Sequence, residues 1–391
     1  MTLADVHRCT PALLADRCLP LIGCGLWLDR EVEFSRVEHY FKALQPHHLD
    51  IVLDVALPEA RPRLDAVMTL CGAHDVAPWL YVICDDDGPE TGLARLASWL
   101  EETGVSPAGM LVTPRAYLKS HQPEGPWPDG ADPEMVRALA RQYWPALALG
   151  GGFPTYFTEL NRCRPDPDHI DFITHALSPI VHAADDVSVM ETLESLPHIF
   201  KSARALAPGC PYRVTTSAIG AWTNPYGKQL TTSDGNERVT LGDRDPRQRA
   251  LFGAAWQTGV VARAGEGGVK ALTLSSLGPP LDMAGHVPYP LFHVLRGLIR
   301  GGGQPLLVCP DAPSNVAAVG WQSPEGAFDE LWLANLSTEP VRLAIQGVAI
   351  RAAALLDAHT DLEDMAWMDH LTAAGAPMPL PAFGVLRLVL E

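Results

Sequence analysis

Short apolar runs alternate with longer segments of helical period over the first 302 residues of this 391-residue chain. In the segments between the runs, apolar residues recur every three or four positions, as at Leu64, Val67, Met68 and Cys71, which is typical of amphipathic helices. Alternating strands and helices predict a parallel sheet, and eight such units predict that the sheet closes into a barrel. The eight predicted strands are residues 21–26, 51–56, 79–84, 109–113, 147–150, 170–175, 213–217 and 271–275.

The pattern changes after the three glycines at residues 301–303. Beyond them, short apolar runs separated by turn residues predict antiparallel strands, at residues 305–309, 316–321, 331–336, 341–345, 348–355 and 385–390. We therefore expect an α/β chain with a (β/α)8 TIM barrel over residues 1–302 and a small antiparallel β-sandwich over residues 303–391. An open doubly wound sheet is the alternative, but Gly23 and Gly25 lie inside the first strand without the third glycine of a dinucleotide-binding turn.

Composition narrows the class of protein. Hydrophobic residues make up 47% of the chain and charged residues 19%, which is typical of a globular protein. A formal charge of −17 argues against nucleic acid or an anionic membrane as a partner. The sequence has no apolar run of membrane-spanning length and no secretory signal layout, and its eight cysteines form no CxxC pair. We expect a cytoplasmic protein with free thiols.

The fifth predicted strand ends at three glycines, residues 150–152, and a polar segment with two aromatic rings follows. Glycines allow a sharp turn and a close approach of a ligand, and barrels present catalytic side chains at the carboxyl ends of their strands. We interpret Glu159 as the main proton-transfer residue, with Tyr156, Asn161 and Arg162 binding substrate. Two alternatives stay open: Arg162 pairs with Glu159 and holds it charged, or the segment is an ordinary strand-to-helix loop with a solvated glutamate.

A second candidate group follows the sixth strand. His182 lies in a loop close to Asp185 and Asp186, and a neighbouring carboxylate can fix the tautomer of a histidine and raise its basicity. We expect His182 and Asp186 to assist proton transfer. The alternative is that Asp186 only caps the helix that begins there.

Polar or aromatic side chains also follow other predicted strands, and we expect them to bind substrate. Each residue also has a purely structural interpretation. A histidine can be hydrogen-bonded in the core, a polar side chain can hydrogen-bond at the barrel mouth, and an aromatic ring can cover the mouth. These residues are Asp54, His175, Ser217, Trp222, Asn224 and Ser275.

Motifs of several enzyme classes are missing from the sequence. It has no HxH or HExxH metal motif, no GxSxG nucleophile elbow and no GxxxxGK phosphate loop. We therefore expect neither a metal nor a cofactor.

Four phrases of the sequence resemble the D-apionate lactonase family. They are GGGFPTYFTELNR at residues 150–162, DFITHALSPIVHAADDVSVMETL at residues 171–193, DPRQRALFGAAWQTG at residues 245–259 and LWLANLSTEPV at residues 331–341. The resemblance runs from about residue 20 to the end of the chain. It implies a glycoside-hydrolase-like barrel with a C-terminal β-domain, and the hydrolysis of a branched sugar lactone.

Two departures from the family change what the resemblance implies. Members carry a Tyr-Tyr-Glu-Thr-Thr-Gly phrase at the eighth strand, whereas this chain has Leu-Ser-Ser-Leu-Gly at residues 274–278, so that a serine stands where the glutamate is expected. Members also carry a further domain before the barrel. The expected partners are thus a small-molecule sugar or sugar lactone and, beyond it, either a second copy of this chain or a separate chain that carries the leading domain.

The serine at the expected glutamate position affects which reaction the sequence predicts. A retaining glycosidase needs two carboxylates across the scissile bond, and the partner of Glu159 would have to be Asp54, Asp186 or Asp282. Lactone opening needs only one base to activate water, and donors to stabilise the oxyanion. The sequence therefore predicts a hydrolase of a sugar-acid lactone that uses a carboxylate or histidine at the barrel mouth. The alternatives are a TIM-barrel glycoside hydrolase and a non-catalytic carbohydrate-binding protein.

Overall fold

The computed structural model describes residues 6–121, 125–373, 375 and 377–391. After two short strands, β1 (Val6–Cys9) and β2 (Ala12–Cys18), eight parallel strands form a closed barrel. These are β3 (Leu21–Trp27), β4 (His48–Asp54), β5 (Ala77–Cys84), β6 (Gly109–Pro114), β7 (Ala148–Tyr156), β8 (Phe172–Leu177), β9 (Tyr212–Ser217) and β10 (Ala271–Ser276). The prediction of a (β/α)8 TIM barrel from strand–helix alternation is confirmed.

Helices surround the barrel, because each parallel connection has to return along the outside of the sheet. They are α1 (Phe34–Leu44), α2 (Ala60–His74), α3 (Pro89–Thr103), α4 (Pro133–Tyr143), α5 (Phe157–Arg162), α6 (Asp186–Leu206), α7 (Leu251–Gly267) and α8 (Pro290–Leu298). Short 3₁₀ turns lie at Arg115–Leu118, Pro167–His169, Pro246–Arg249, Ile299–Gly301 and Trp367–Asp369. No helix of the described ranges is long and apolar enough to cross a bilayer.

The C-terminal strands form a second domain of two sheets. They are β11 (Pro305–Val308), β12 (Val316–Gln322), β13 (Phe328–Asn335), β14 (Val341–Ile345), β15 (Ile350–Leu356), β16 (Met378–Leu380) and β17 (Val385–Leu390). One sheet has the order β15-β17-β13-β12-β11-β2, and the other has the order β1-β14-β16. The predicted antiparallel β-domain after the barrel is therefore present.

The first two strands belong to these sheets although the sequence predicts residues 1–302 within the barrel. β1 pairs in parallel with β14, and β2 pairs with β11. Without β2, β11 would be an exposed sheet edge with unpaired backbone groups. The sequence pattern does not reveal this pairing, because β2 has mostly exposed or half-exposed positions.

The three glycines of β7 allow close packing of strands and do not form a turn. The expectation that they allow a sharp turn and the close approach of a ligand is therefore corrected. The strand continues through them to Tyr156. A Cβ atom at Gly150 would lie 2.5 Å from the ring of Phe172 on the next strand. Gly152 has φ +104°, and a Cβ atom there would lie 2.1 Å from the carbonyl oxygen of Thr174. The register between β7 and β8 shifts between Gly152 and Tyr156, so these glycines permit a close approach of two strands.

A buried ion pair crosses the barrel interior. Asp50 on β4 is 1% exposed and accepts hydrogen bonds from Arg213 on β9 at 3.1 Å, from Thr215 at 2.9 Å and from Thr273 on β10 at 2.5 Å. The Arg213 guanidinium lies 3.5 Å from the ring centre of Trp79. Burial raises the pKa of Asp50, and Arg213 and the two threonine hydroxyls oppose this rise. The network therefore joins β4 to β9 and β10, which are not its neighbours in the sheet.

We predict that Arg213→Met destabilises the protein by about 3–5 kcal/mol, because it leaves the Asp50 carboxylate buried without a counter-charge. Chemical denaturation measures the loss. The control is Arg300→Met, which removes a half-exposed pair with Asp369 at 3.1 Å and is expected to cost about 0–1 kcal/mol. Adding Asp50→Asn to Arg213→Met should recover part of the stability. A loss from Arg213→Met no larger than that of the control would contradict the prediction.

Candidate functional site

A cleft with two adjoining cavities opens at the carboxyl ends of the barrel strands. The first, the Arg115 cavity, has a volume of about 630 Å³, and the second, the Asp282 cavity, has a volume of about 820 Å³. Arg30, Asp243 and Arg244 line both cavities. Both volumes lie in the range of small-molecule binding sites, and the position is the one at which barrels place chemistry.

The wall of the Arg115 cavity is held by a two-point ion pair. Arg115, in the 3₁₀ turn after β6, donates to the two oxygens of Asp54 at 2.6 and 2.8 Å and lies 3.3 Å from Asp85. These carboxylates raise the pKa of Arg115 above its ordinary value. Asp54 is thus at the mouth as predicted, but its oxygens are occupied by the guanidinium.

Trp222 and Asn224 line the same cavity. The indole of Trp222 donates to the carbonyl of Pro154 at 2.9 Å, which fixes one face of the ring toward the barrel. The side-chain oxygen of Asn224 accepts from the backbone amides of Tyr226 and Gly227, both at 2.9 Å. Asn224 therefore shapes its own loop, while Trp222 supplies an aromatic surface at the mouth.

Glu159 lies outside the lining of both cavities. It is 3% exposed in the first turn of α5, and its oxygens accept from the Ser120 hydroxyl at 3.0 Å and from the Tyr156 amide at 3.1 Å. Burial raises the pKa of Glu159, and the hydrogen bond from Ser120 opposes the rise. Arg162 donates to the Ser120 hydroxyl, and Tyr156 donates its phenol to the carbonyl of Thr223 at 3.1 Å. The arrangement is a buried network that joins three mouth loops.

The expected pair of His182 with an aspartate is not formed. His182 is exposed, and its ring centre lies 5.9 Å from that of Tyr226. Asp185 caps α6 by accepting from the amide of Ser188 at 2.9 Å. Asp186 lies 2.9 Å from Arg238 and 3.1 Å from Arg247, so two arginines occupy it. Local sequence distance did not bring these side chains together, because the helix start directs the aspartates elsewhere.

Several other predicted ligand-binding side chains are bonded inside the protein. His175 is fully buried, with its nitrogens 2.6 Å from the Tyr212 hydroxyl and 2.9 Å from the Ala176 carbonyl, and burial lowers its pKa to about 4. The Ser217 hydroxyl donates to Gln257 at 3.4 Å, and Asn161 is an exposed residue that accepts from Arg164 at 2.9 Å. For His175 the core-histidine alternative describes what the structure shows.

Ser275 is fully buried with φ +56° and holds mouth residues instead of lining the cleft. It accepts from the side-chain amide of Gln248 at 2.6 Å and donates to the carbonyl of Leu281. Gln248 lines the Asp282 cavity and also accepts from the amide of Ile219 at 3.1 Å. The serine that replaces the expected glutamate is thus a structural residue.

The Asp282 cavity brings Asp282, which the sequence offered only as a possible partner of Glu159, together with arginines that the sequence did not single out. Arg30 and Arg36 each have a buried Nε–H without a hydrogen-bond acceptor within the described ranges, and Asp282 has a buried Oδ1 without a donor. All three residues line the cavity, as do Arg249 and Tyr289. Buried polar atoms are normally satisfied, so this concentration marks a place where a ligand can supply the missing partners. Arg30 and Asp282 lie in loops after the first and eighth barrel strands and Arg36 lies in the first turn of α1, and these positions near strand ends are the sequence signal that could have found them.

Metal ligands do not cluster in the described part of the chain, where no group of three or more His, Cys, Asp or Glu side chains could hold a metal ion. The charged groups that line the cleft are mainly carboxylates and guanidinium groups. Carboxylates transfer protons, and guanidinium groups bind oxyanions by paired hydrogen bonds.

Comparison with known proteins gives the family. Residues 22–303 match "D-apionate lactonase, TIM barrel domain", and residues 313–388 match "D-apionate lactonase, C-terminal immunoglobulin-like domain". The D-apionate lactonase of Brucella anthropi is 34% identical over 260 residues, which cover 64% of this chain and 42% of that relative. The matched region thus spans less than half of the relative's length.

Two solved structures share the fold over nearly the whole chain. A glycoside hydrolase family 30 subfamily 8 xylanase from Clostridium acetobutylicum has a TM-score of 0.58 at 11% identity, covering 99% of each chain. A family 30 endoxylanase from Clostridium papyrosolvens C71 has a TM-score of 0.61 at 8% identity, covering 99% of this chain and 100% of that one. The resemblance that the four sequence phrases indicated is confirmed, and this chain belongs to the D-apionate lactonase family.

Proposed function

We propose that this protein is a hydrolase that opens a sugar-acid lactone in the cleft at the mouth of its barrel. The family supports this reaction class, since the relative from Brucella anthropi is a D-apionate lactonase. The observation that carries the proposal is the cleft itself, in which carboxylates and arginines from several strand ends line two adjoining cavities. A cyclic ester of a sugar acid fits such a polar site of limited volume.

The cleft supplies what ester hydrolysis needs. Water attacks the lactone carbonyl after losing a proton to a carboxylate, and the carbonyl oxygen becomes an oxyanion in the tetrahedral intermediate. Arginines of the Asp282 cavity, among them Arg30 and Arg36, donate hydrogen bonds to developing negative charge. The same groups attract the carboxylate of the hydroxy-acid product. Trp222 offers a flat apolar surface for the sugar ring.

The positions of the carboxylates favour lactone opening over glycoside hydrolysis. A retaining glycosidase needs two free carboxylates about 5–5.5 Å apart. Glu159 is surrounded by Ser120, Tyr156 and Arg162 rather than by a second carboxylate. Asp54 is paired with Arg115, Asp186 is paired with two arginines, and Asp282 lines a cavity whose lining does not include Glu159. The likeness to glycoside hydrolases lies in the fold.

Within this proposal Glu159 is a positioning residue. Its carboxylate accepts from Ser120 and the Tyr156 amide, and Ser120 in turn follows the segment that carries Arg115. His182 and Asp186 lie apart from one another and have no shared proton path, so they take no part in the proposed water activation.

We predict measurable hydrolysis of five- and six-membered aldonolactones, including D-apionolactone, and none of p-nitrophenyl glycosides or xylan. A pH-stat assay that records acid release measures the first, and release of nitrophenol or reducing sugar measures the second. Cleavage of glycosides without lactone opening would establish the glycoside hydrolase alternative. Binding of lactones without turnover, seen by isothermal titration calorimetry, would establish the carbohydrate-binding alternative.

We predict that Glu159→Gln lowers the free energy of unfolding by about 1–3 kcal/mol. The side-chain amide of glutamine places an N–H group opposite either the Ser120 hydroxyl or the Tyr156 amide, and that donor then has no acceptor. The value of kcat/KM should fall less than tenfold at a temperature where the variant is folded. Ser120→Ala, which removes the shared hydroxyl, is the matched control and should show the same pattern. A loss of activity of 100-fold or more in Glu159→Gln, with an unchanged melting temperature, would instead support Glu159 as the proton-transfer residue.

A further inference from the structure

The loop after the eighth barrel strand is fixed by the two serines that end this strand. The Ser275 hydroxyl donates to the carbonyl of Leu281, and the Ser276 hydroxyl accepts from the amide of Leu281 at 3.1 Å. Backbone hydrogen bonds of 3.0 Å join the Ser276 amide to the Leu281 carbonyl and the Met283 amide to the Ser276 carbonyl. Asp282 lies between these anchored residues. The loop therefore delivers one carboxylate to the cavity in a fixed position.

The carboxylate of Asp282 is not used by the protein. Its Oδ1 is buried without a hydrogen-bond donor in the described residues, although the residue lines a cavity of about 820 Å³. Two other mouth aspartates are occupied: Asp54 pairs with Arg115, and Asp245 accepts two hydrogen bonds from the Arg247 guanidinium at 2.6 and 2.9 Å. Leaving a buried carboxylate oxygen unsatisfied costs free energy, which a ligand or an attacking water would recover.

The charges around Asp282 suit a proton acceptor. Burial raises the pKa of Asp282, and the positive charges of Arg36 and Arg244 oppose the rise without cancelling it. A carboxylate with a raised pKa is a stronger base than one in water, and nearby cations favour its ionised form. Arg36 also has the unsatisfied Nε–H, so a donor for an oxyanion lies in the same cavity as the base.

We propose that Asp282 is the proton-transfer residue of lactone opening, an assignment that rests on the proposed function. The Asp282 carboxylate takes a proton from water as the water oxygen bonds to the lactone carbonyl carbon. The carbonyl π electrons move to oxygen, and the resulting oxyanion is held by arginine donors. When it collapses, the ring C–O bond breaks and the leaving oxygen takes the proton back from Asp282. The product is the open hydroxy acid, which releases its carboxyl proton to solvent.

The pH dependence follows from the raised pKa. Because the reactive form is the carboxylate, kcat/KM should fall as the pH falls through the pKa of Asp282, above the ordinary aspartate value of 3.8. Charged and titratable groups lining the same cavity are Glu31, Glu33 and Arg36 before or on α1, Arg30 after β3, Asp234, Asp243, Arg244, Asp245 and Arg249 before α7, and Tyr289 before α8. Burial raises the pKa of Tyr289 above its ordinary value, which favours the neutral phenol. Other carboxylates of the cavity, among them Glu33 and Asp243, remain in an Asp282 variant. If the fall of kcat/KM at low pH disappears in that variant, it is caused by protonation of Asp282.

The test compares Asp282→Asn with the parent protein on the lactone that the parent hydrolyses fastest. We expect kcat to fall about 100- to 10,000-fold, the usual contribution of a general base, and the acid limb of the pH profile to disappear. The melting temperature should stay equal or rise at neutral pH, because a neutral amide relieves the cost of a buried charge. In Asp282→Ala, added formate should restore part of the activity by occupying the space of the missing carboxylate.

Controls separate this inference from simpler explanations. Asp361→Asn makes the same chemical change at an exposed site in the C-terminal domain, where the side chain only accepts from the amide of Glu363 at 3.0 Å, and it should keep parental activity. Asp29→Asn tests a rival, since Asp29 also has a buried unpaired oxygen and a pKa raised by burial. Full activity of Asp282→Asn, or a larger loss in Asp29→Asn, would overturn the assignment while leaving the proposed function intact. A parent protein that opens no lactone would instead reject the proposed function.

Discussion

The buried ion pair between Asp50 and Arg213 is the interaction on which the barrel depends. It joins β4 to β9, and the hydroxyls of Thr215 and Thr273 complete its hydrogen bonds. Burying two charges is costly unless both are paired and further hydrogen bonds satisfy them. Here the two charges are paired, two hydroxyls bond to the carboxylate and the guanidinium lies against the ring of Trp79, although the Arg213 Nε–H has no hydrogen-bond acceptor in the described residues. The pair therefore fixes the relative position of strands whose ends form the cleft.

The mouth contains two arrangements of the same chemical groups with opposite consequences. Arg115 and Asp54 satisfy each other in a two-point pair, which holds the loop after β6 against the end of β4. Asp282, Arg30 and Arg36 share a cavity but leave buried polar atoms without hydrogen bonds in the described residues, although Arg30 lies 3.7 Å from Asp29 and Arg36 lies 3.8 Å from Glu33. A satisfied pair stabilises the protein, whereas unsatisfied groups keep interaction energy available for a substrate. Functional sites commonly break the rule of polar satisfaction in this way.

The second domain supports the barrel through large side chains packed against glycines. A Cβ atom at Gly297 of α8 would lie 2.1 Å from the ring of Trp332, and one at Gly301 would lie 2.3 Å from the ring of Trp321. These tryptophans lie on β13 and β12. Because β2 joins the same sheet just before the first barrel strand, both ends of the barrel segment are attached to one domain. This attachment restrains α8, which follows the loop that carries Asp282.

The sequence by itself determined the architecture, because strand–helix alternation and the later change to short alternating runs report burial, and burial follows directly from side-chain polarity. It also placed Asp54, Trp222 and Asn224 at the cleft, since barrel strands end at one face. It did not determine what each polar side chain contacts. Glu159 and His175 follow the predicted pattern yet bond within the protein, and Asp282 lies in a loop that no periodicity describes. The serines of β10, the loop they anchor and the charges from three distant segments gain their roles only when the barrel closes, because hydrogen bonds and ion pairs depend on distances in space that sequence order does not fix.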